Sequence, residues 1–172
     1  MPVKHSPFST NGFETTLDSV NLQILDAMIE RPRSTVAELA RKIGMSAPAV
    51  AERIQRLHEL GVIAGYRLEI DPRAVGLPMA AFVRIRPGPG MHARVADLAR
   101  RNPHVAECHR ITGEDCFLMK VHVAGVEHLE AVLDEFLTCS QTTTSIVQST
   151  PVPLRGVPLP AVDTFPRPRN GS

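Results

Sequence analysis

The chain has no tryptophan and one tyrosine, Tyr66, and aromatic residues make up only 4% of its 172 positions. Stacking platforms for single-stranded nucleic acid are therefore scarce. Neither sign of charge is in excess: 19 Lys and Arg face 18 Asp and Glu, a net charge of +1. Such a chain is no general coat for phosphate, and any contact with a duplex must come from local placement of Arg and Lys. The three cysteines, Cys108, Cys116 and Cys139, are an odd count with no close pair. That argues against a disulfide framework and fits a reducing compartment. No run approaches the roughly 18 apolar residues of a membrane span. The opening MPVKHSPFSTNGFE lacks the apolar stretch of a signal peptide. The expectation is a cytoplasmic protein with no membrane partner. Hydrophobic residues make up 43%, enough for a core, and the length suits one ordinary domain or two small ones.

What is present is concentrated in Ser34 to Tyr66, STVAELARKIGMSAPAVAERIQRLHELGVIAGY. Ser34 and Ser46 both suit an N-cap, because a hydroxyl can accept from the unpaired N–H groups of a first helical turn. Val36, Leu39, Ala40 and Ile43 form one apolar stripe at helical spacing, and Val50, Ile54 and Leu57 form another. Gly44-Met45 leaves room for only a short turn between them. Two helices so joined make a helix-turn-helix, whose second helix enters the DNA major groove. A preceding helix over Asp18 to Glu30 turns Ile24, Leu25 and Met28 inward and ends at Pro32. Gly61 stops the third helix. Val62 to Ile70 reads as a strand or small hairpin, a wing, and Asp71-Pro72 breaks it.

The domain boundaries follow from these signals. Residues 1–14 read as a disordered arm, 15–71 as the helix-turn-helix domain and 72–78 as a linker. Residues 79–150 form a second domain, and 151–172 a proline-rich tail without periodicity, extended or disordered. The second domain has the order strand Met79–Arg86, helix Met91–Arg101, strand Val105–Thr112, strand Cys116–Val123, helix Gly125–Leu137, strand Thr143–Ser149. This is a ferredoxin-like βαββαβ arrangement, an antiparallel sheet with both helices on one face, and the chain as a whole is α+β. Alternation sends Met79, Ala81, Val83, Ile85, Phe117, Met119, Val121 and Ile146 toward the helices. It sends Phe82, Arg84, Cys108, Arg110, Leu118, Lys120 and Val147 to the other face. That face is apolar at its centre, and a second copy of the sheet is the simplest cover, which makes a homodimer the expectation.

With Val50, Ile54 and Leu57 inward, Ala47, Pro48, Ala51, Glu52 and Gln55 point away from the core. Gln55 can offer a donor and an acceptor to adenine, while Ala47 and Ala51 permit close approach and contact with a thymine methyl. Ser46 can present its hydroxyl or the helix N-terminus to a phosphate. Arg53 and Arg56 can reach phosphates, flanked by Arg33, Lys42 and Arg67. Each of these cations also reads as an ordinary solvated charge, and Glu52 and Glu59 offset them. Shape, more than charge, carries the DNA-binding reading.

Other residues carry less. His104 and His109 lie near Cys108 and His122 on the neighbouring strand, but no HxxxH or CxxC pair accompanies them, so they read as structural and no metal or other cofactor is expected. Gly88-Pro89-Gly90 is a turn. Glu127, Glu130, Asp134 and Glu135 are the polar side of an amphipathic helix, and no nucleophile has a nearby base.

The order of parts resembles the Lrp/AsnC family of transcription regulators. LDSVNLQIL, ELARKIGMSAPAVAERIQRLHELGVIAGY, DPRAVGLPMAAFV, HRITGEDCFLMKV and QTTTSIVQST carry the resemblance, in that order, over nearly all of residues 17–150. Asn21 stands where the family usually has a second acid. Glu114 and Cys116 flank Asp115 where the family often has an aromatic residue. The resemblance implies double-stranded DNA as a partner and a homodimer that assembles further, to an octamer or related disc. It also implies an amino acid or similar small effector held between dimers near Gly113, Glu114 and Asp115. Gly113 can expose its N–H to a ligand carboxylate and Asp115 can accept from an ammonium, with Thr144 and Ser149 supplying hydroxyls from a neighbouring subunit. The same turn also reads as a plain β-turn. Tetrapyrrole decarboxylases of the sirohaem pathway resemble this family too, and such an enzyme is the alternative expectation.

Overall fold

The computed structural model describes residues 17–160, and two compact units divide the chain. The arm read at 1–14 lies outside the described residues, as do residues 161–172 of the tail. The first unit comprises the chain up to Arg67 together with the tail from Leu154. The second runs from Leu68 to Pro153. The division falls a few residues before the expected linker at 72–78, and residues 154–160 group with the first unit.

The first unit holds α1 (Ser19–Glu30), α2 (Val36–Ile43) and α3 (Ala47–Glu59). Asp18 caps α1, accepting from the Asn21 backbone N–H at 2.7 Å. Thr35, not Ser34, caps α2. The Glu38 N–H donates to the Thr35 hydroxyl at 3.3 Å, and the Thr35 N–H donates to Glu38 Oε2 at 2.7 Å. A reciprocal cap needs an acid three residues on, which Thr35 has and Ser34 lacks. Gly44 ends α2 in the left-handed region at φ 76°, and Ser46 caps α3. Ile24, Val50 and Leu57 are fully buried together, with Leu25, Ala27, Leu39 and Ala40 beside them. Each large apolar side chain so buried stabilises the unit by about 1.5–3 kcal/mol. Val36 departs from its expected stripe and is exposed in the first turn of α2.

The expected wing is absent. Residues 62–70 contain no strand, and Tyr66, Leu68 and Ile70 are exposed, Leu68 to 83%. A strand requires a partner for its N–H and C=O groups, and among the described residues this stretch pairs with no strand. The tail contributes to the first unit through Leu159, which packs half-buried on the helical core.

The second unit begins with a short 3₁₀ turn, Pro72–Val75, capped by Asp71. Then follow β1 (Met79–Pro87), α4 (His92–Arg101), β2 (Val105–Arg110), β3 (Phe117–Val123), α5 (Val126–Leu137) and β4 (Ser140–Ile146). The sheet order is β2-β3-β1-β4, antiparallel throughout. Ala81, Val83, Ile85, Phe117, Met119, Val121 and Val123 pack against Val95, Ala99, Leu129, Val132 and Phe136 of the helices.

Three sheet assignments change. β4 starts at Ser140 instead of Thr143, because only Thr138 and Cys139 separate it from α5. Cys108 pairs with Met119 and Arg110 with Phe117, which puts both on the helix side of the sheet. An irregularity between Val105 and Glu107 shifts the alternation by one and sends Glu107 and His109 to the open face instead. Ile146 sits opposite Ala81 on the helix side, yet it is 52% exposed at the end of an edge strand. The open face keeps Phe82, Arg84, Leu118 and Lys120, with the Lys120 ammonium 5.8 Å from the centre of the Phe82 ring.

Candidate DNA-binding helix and effector turn

The helix-turn-helix leaves one side of α3 open. Pro48, Ala51, Glu52, Gln55 and Arg56 are exposed, and Ser46 is exposed at the head of the helix. Ala47 is half-buried against the core, so the small residues at the helix face are Pro48 and Ala51. The Ser46 hydroxyl is engaged as a cap, accepting from the Ala49 N–H at 3.4 Å. The Gln55 amide donates to Glu59 Oε1 at 2.9 Å across one turn, an exposed contact that base edges can replace. Arg33 is exposed and lines a groove of about 800 Å³ with Arg31, Arg41 and Lys42. Glu30 tempers that patch through its ion pair with Lys42.

Arg53 does something else. Its guanidinium donates to Asp18 Oδ2 at 2.7 Å and to Asn21 Oδ1 at 2.9 Å, and the residue is half-buried. Asn21 is itself buried. Both bonds come from Nη1, and through them this arginine ties the start of α1 to the middle of α3. Arg53 thus braces the helix in the protomer. It also explains Asn21: an amide oxygen accepts from the guanidinium where the family usually has a carboxylate.

At the other candidate site, the Ile111 N–H donates to the Cys116 carbonyl at 2.9 Å and closes the β2–β3 connection. Gly113 adopts φ 112°, a conformation strained for any side chain. Arg86, at the end of β1, donates from Nε to Asp115 at 3.2 Å and from a terminal nitrogen to Glu114 at 2.7 Å. The sequence reading missed Arg86. Its signal is register, since Ile85 pairs with Phe117 and brings the next residue beside the turn. Thr144 is half-buried opposite Val83, further along the sheet. Ser149 lies beyond the opposite end of β4 and lines a cleft of about 670 Å³ with His122, Asp71 and Arg73. A protomer therefore brings Gly113, Glu114 and Asp115 together, and brings Ser149 to a different place.

Burial pushes the His122 imidazole down, with Lys120 adding to the effect, and burial pushes the Cys108 thiol up. His104 and His128 approach Nε2 to Nε2 at 3.1 Å, while His128 Nδ1 accepts from the Ala124 N–H at 3.3 Å. That bond leaves the His128 proton on Nε2, so the pair is an N–H···N hydrogen bond. Among the described residues no group of three or more His, Cys, Asp or Glu could hold a metal ion, and no helix is long and apolar enough to cross a membrane.

The AsnC-type helix-turn-helix domain matches residues 17–58, and the Lrp/AsnC ligand binding domain matches residues 80–157. The chain belongs to the Lrp/AsnC family. A curated Lrp/AsnC relative, the HTH-type transcriptional regulator LrpC of Bacillus subtilis, is 30% identical over 133 residues. That match spans 77% of this chain and 92% of the relative. The solved structure of LrpC superposes with a TM-score of 0.74, covering 77% of this chain and 95% of LrpC. A transcriptional regulator of Neisseria meningitidis, solved as its L-Met complex, gives 26% identity and a TM-score of 0.76. It covers 83% of this chain and 96% of that one. A feast or famine regulatory protein of M. tuberculosis complexed with L-methionine is 30% identical, with a TM-score of 0.76. It covers 82% of this chain and 98% of its own.

Proposed function

We propose that this Lrp/AsnC protein is a sequence-specific duplex-DNA regulator whose oligomerisation and DNA affinity respond to an amino acid. The observation that carries the DNA half is the exposed side of α3, where small Pro48 and Ala51 precede Gln55 and Arg56. Small residues let the helix enter the groove, Gln55 reads a base and Arg56 and Arg33 reach phosphates. Ser46 turns the N-terminus of α3 toward the same backbone. A dimer presents two such helices, so the site bound is partly palindromic. Binding isotherms over a salt series test this. Affinity for a selected site should fall steeply with salt and exceed that for scrambled DNA; equal, salt-insensitive affinity for any DNA overturns it.

The effector half rests on the turn. Arg86, Glu114 and Asp115 form a set of both charges beside a glycine N–H. A zwitterion is complementary to that set: its carboxylate takes Arg86 and the Gly113 N–H, and its ammonium takes Asp115 or Glu114. Two similar proteins are described as complexes with L-methionine, which makes that amino acid the first to test. In this reading Thr144 and Ser149 reach a bound effector only from a neighbouring protomer, as dimers assemble to an octamer or similar disc. Calorimetry with L-methionine and the other proteinogenic amino acids decides: the chain binds at least one, and Asp115→Ala loses it. Full binding by that variant, or none by the wild type, removes the effector site. No observation favours the tetrapyrrole decarboxylase alternative, since the relatives described here are regulators.

A further inference from the structure

The second unit is an insertion in the first: the chain enters it at Leu68 and returns at Leu154 to the unit that holds the three helices. The returning segment reads LRGVPLP, and its contact with the helical core is selective. Leu159 packs half-buried on the cluster built from Ile24, Leu39, Val50 and Leu57. Leu154 and Val157 stay in solvent, Val157 at 80% exposure. Prolines stand on both sides of the docked leucine, Pro158 and Pro160, with Pro151 and Pro153 just upstream. Proline fixes its own φ and holds the residue before it out of the helical region, so Leu159 is presented from an already extended backbone. The ordering cost that opposes docking of a flexible tail is correspondingly small.

The LrpC match covers 92% of that relative but 77% of this chain. The ligand-binding domain match ends at residue 157, two residues before the docked leucine. The docking segment thus lies beyond the part matched to the family domain.

We propose that Pro158-Leu159-Pro160 is an intramolecular clip whose docking site is the apolar core of the DNA-binding unit. It makes that unit's stability depend on the chain that leaves β4. The helices are then tied to the inserted unit at both of its ends. Strain or ordering at the end of β4 reaches α1–α3 through the clip as well as through residues 68–78.

Hydrogen exchange on the intact full-length protein tests this with Leu159→Asp and, as a control, Val157→Asp. The expected result for Leu159→Asp is exchange about tenfold faster in the protected amides of α1–α3, with those of β1–β4 unchanged. Leu159→Ala should give a smaller acceleration in the same helices, about threefold, and covers the case in which the charged variant does not fold. Val157→Asp should leave both units at wild-type rates. Wild-type helix protection in both Leu159 variants overturns the clip. So does an equal loss from Val157→Asp, because the effect would then be one of charge in the tail and not of docking.

Discussion

At the scale of single residues, two arginines on one helix separate by what they already hold. Arg53 is bound to Asp18 and Asn21, while Arg56 is exposed. A hydrogen bond involving a charged group contributes about 1.5–3 kcal/mol. Arg53→Ala should therefore lower the urea stability of the helical unit by roughly that amount. Arg56→Ala should leave stability unchanged, weaken binding to all DNA alike and reduce the salt slope by about 1. Gln55→Ala should instead change preference at one base pair, by about 1–3 kcal/mol, measured against a panel of single-site operator variants. Spacing in the sequence puts Arg53 and Arg56 in reach of one groove. It contains no sign that Asp18, 35 residues upstream, has claimed the first. Arg86 was hidden for the same reason, since its partners Glu114 and Asp115 come within reach only through strand register.

At the scale of elements, local chemistry was the most legible. The N-cap at Ser46, the glycine after α2 and all five helices and four strands follow from short-range pattern. Misreadings arose where a local signal was ambiguous or a partner was distant. Ser34 and Thr35 are adjacent hydroxyls, and only the position of Glu38 selects between them. β4 opens with the polar run SQTTT, whose edge position lets it form without the apolar alternation that marks a strand. Residues 62–70 have strand composition but no partner strand among the described residues. The capping box also has a pH signature. The Thr35 backbone N–H, and then its hydroxyl, hold the Glu38 carboxyl below its ordinary range. Its folded pKa is depressed, so the contribution is present above the unfolded carboxylate pKa and is lost as pH falls through the folded one. Exchange protection in α2 should fall over that acidic range, and Glu38→Gln should flatten the dependence.

At the scale of the whole molecule, the open sheet face and the exposed side of α3 ask for partners of different kinds. Phe82 and Leu118 sit at the centre of the sheet face, with Lys120 over the Phe82 ring. We propose that a second copy covers this face, where an unpaired buried carboxylate would cost several kcal/mol. Leu118→Asp should accordingly shift the full-length protein from dimer or higher oligomer to monomer in sedimentation velocity, with its helices intact. That the full-length protein reads duplex sequence is checked by selection from a random duplex library. The expected outcome is enrichment of a partly palindromic site bound at least about 10³-fold more tightly than scrambled DNA at physiological salt. Failure to enrich any site, with equal affinity for every duplex, would contradict it.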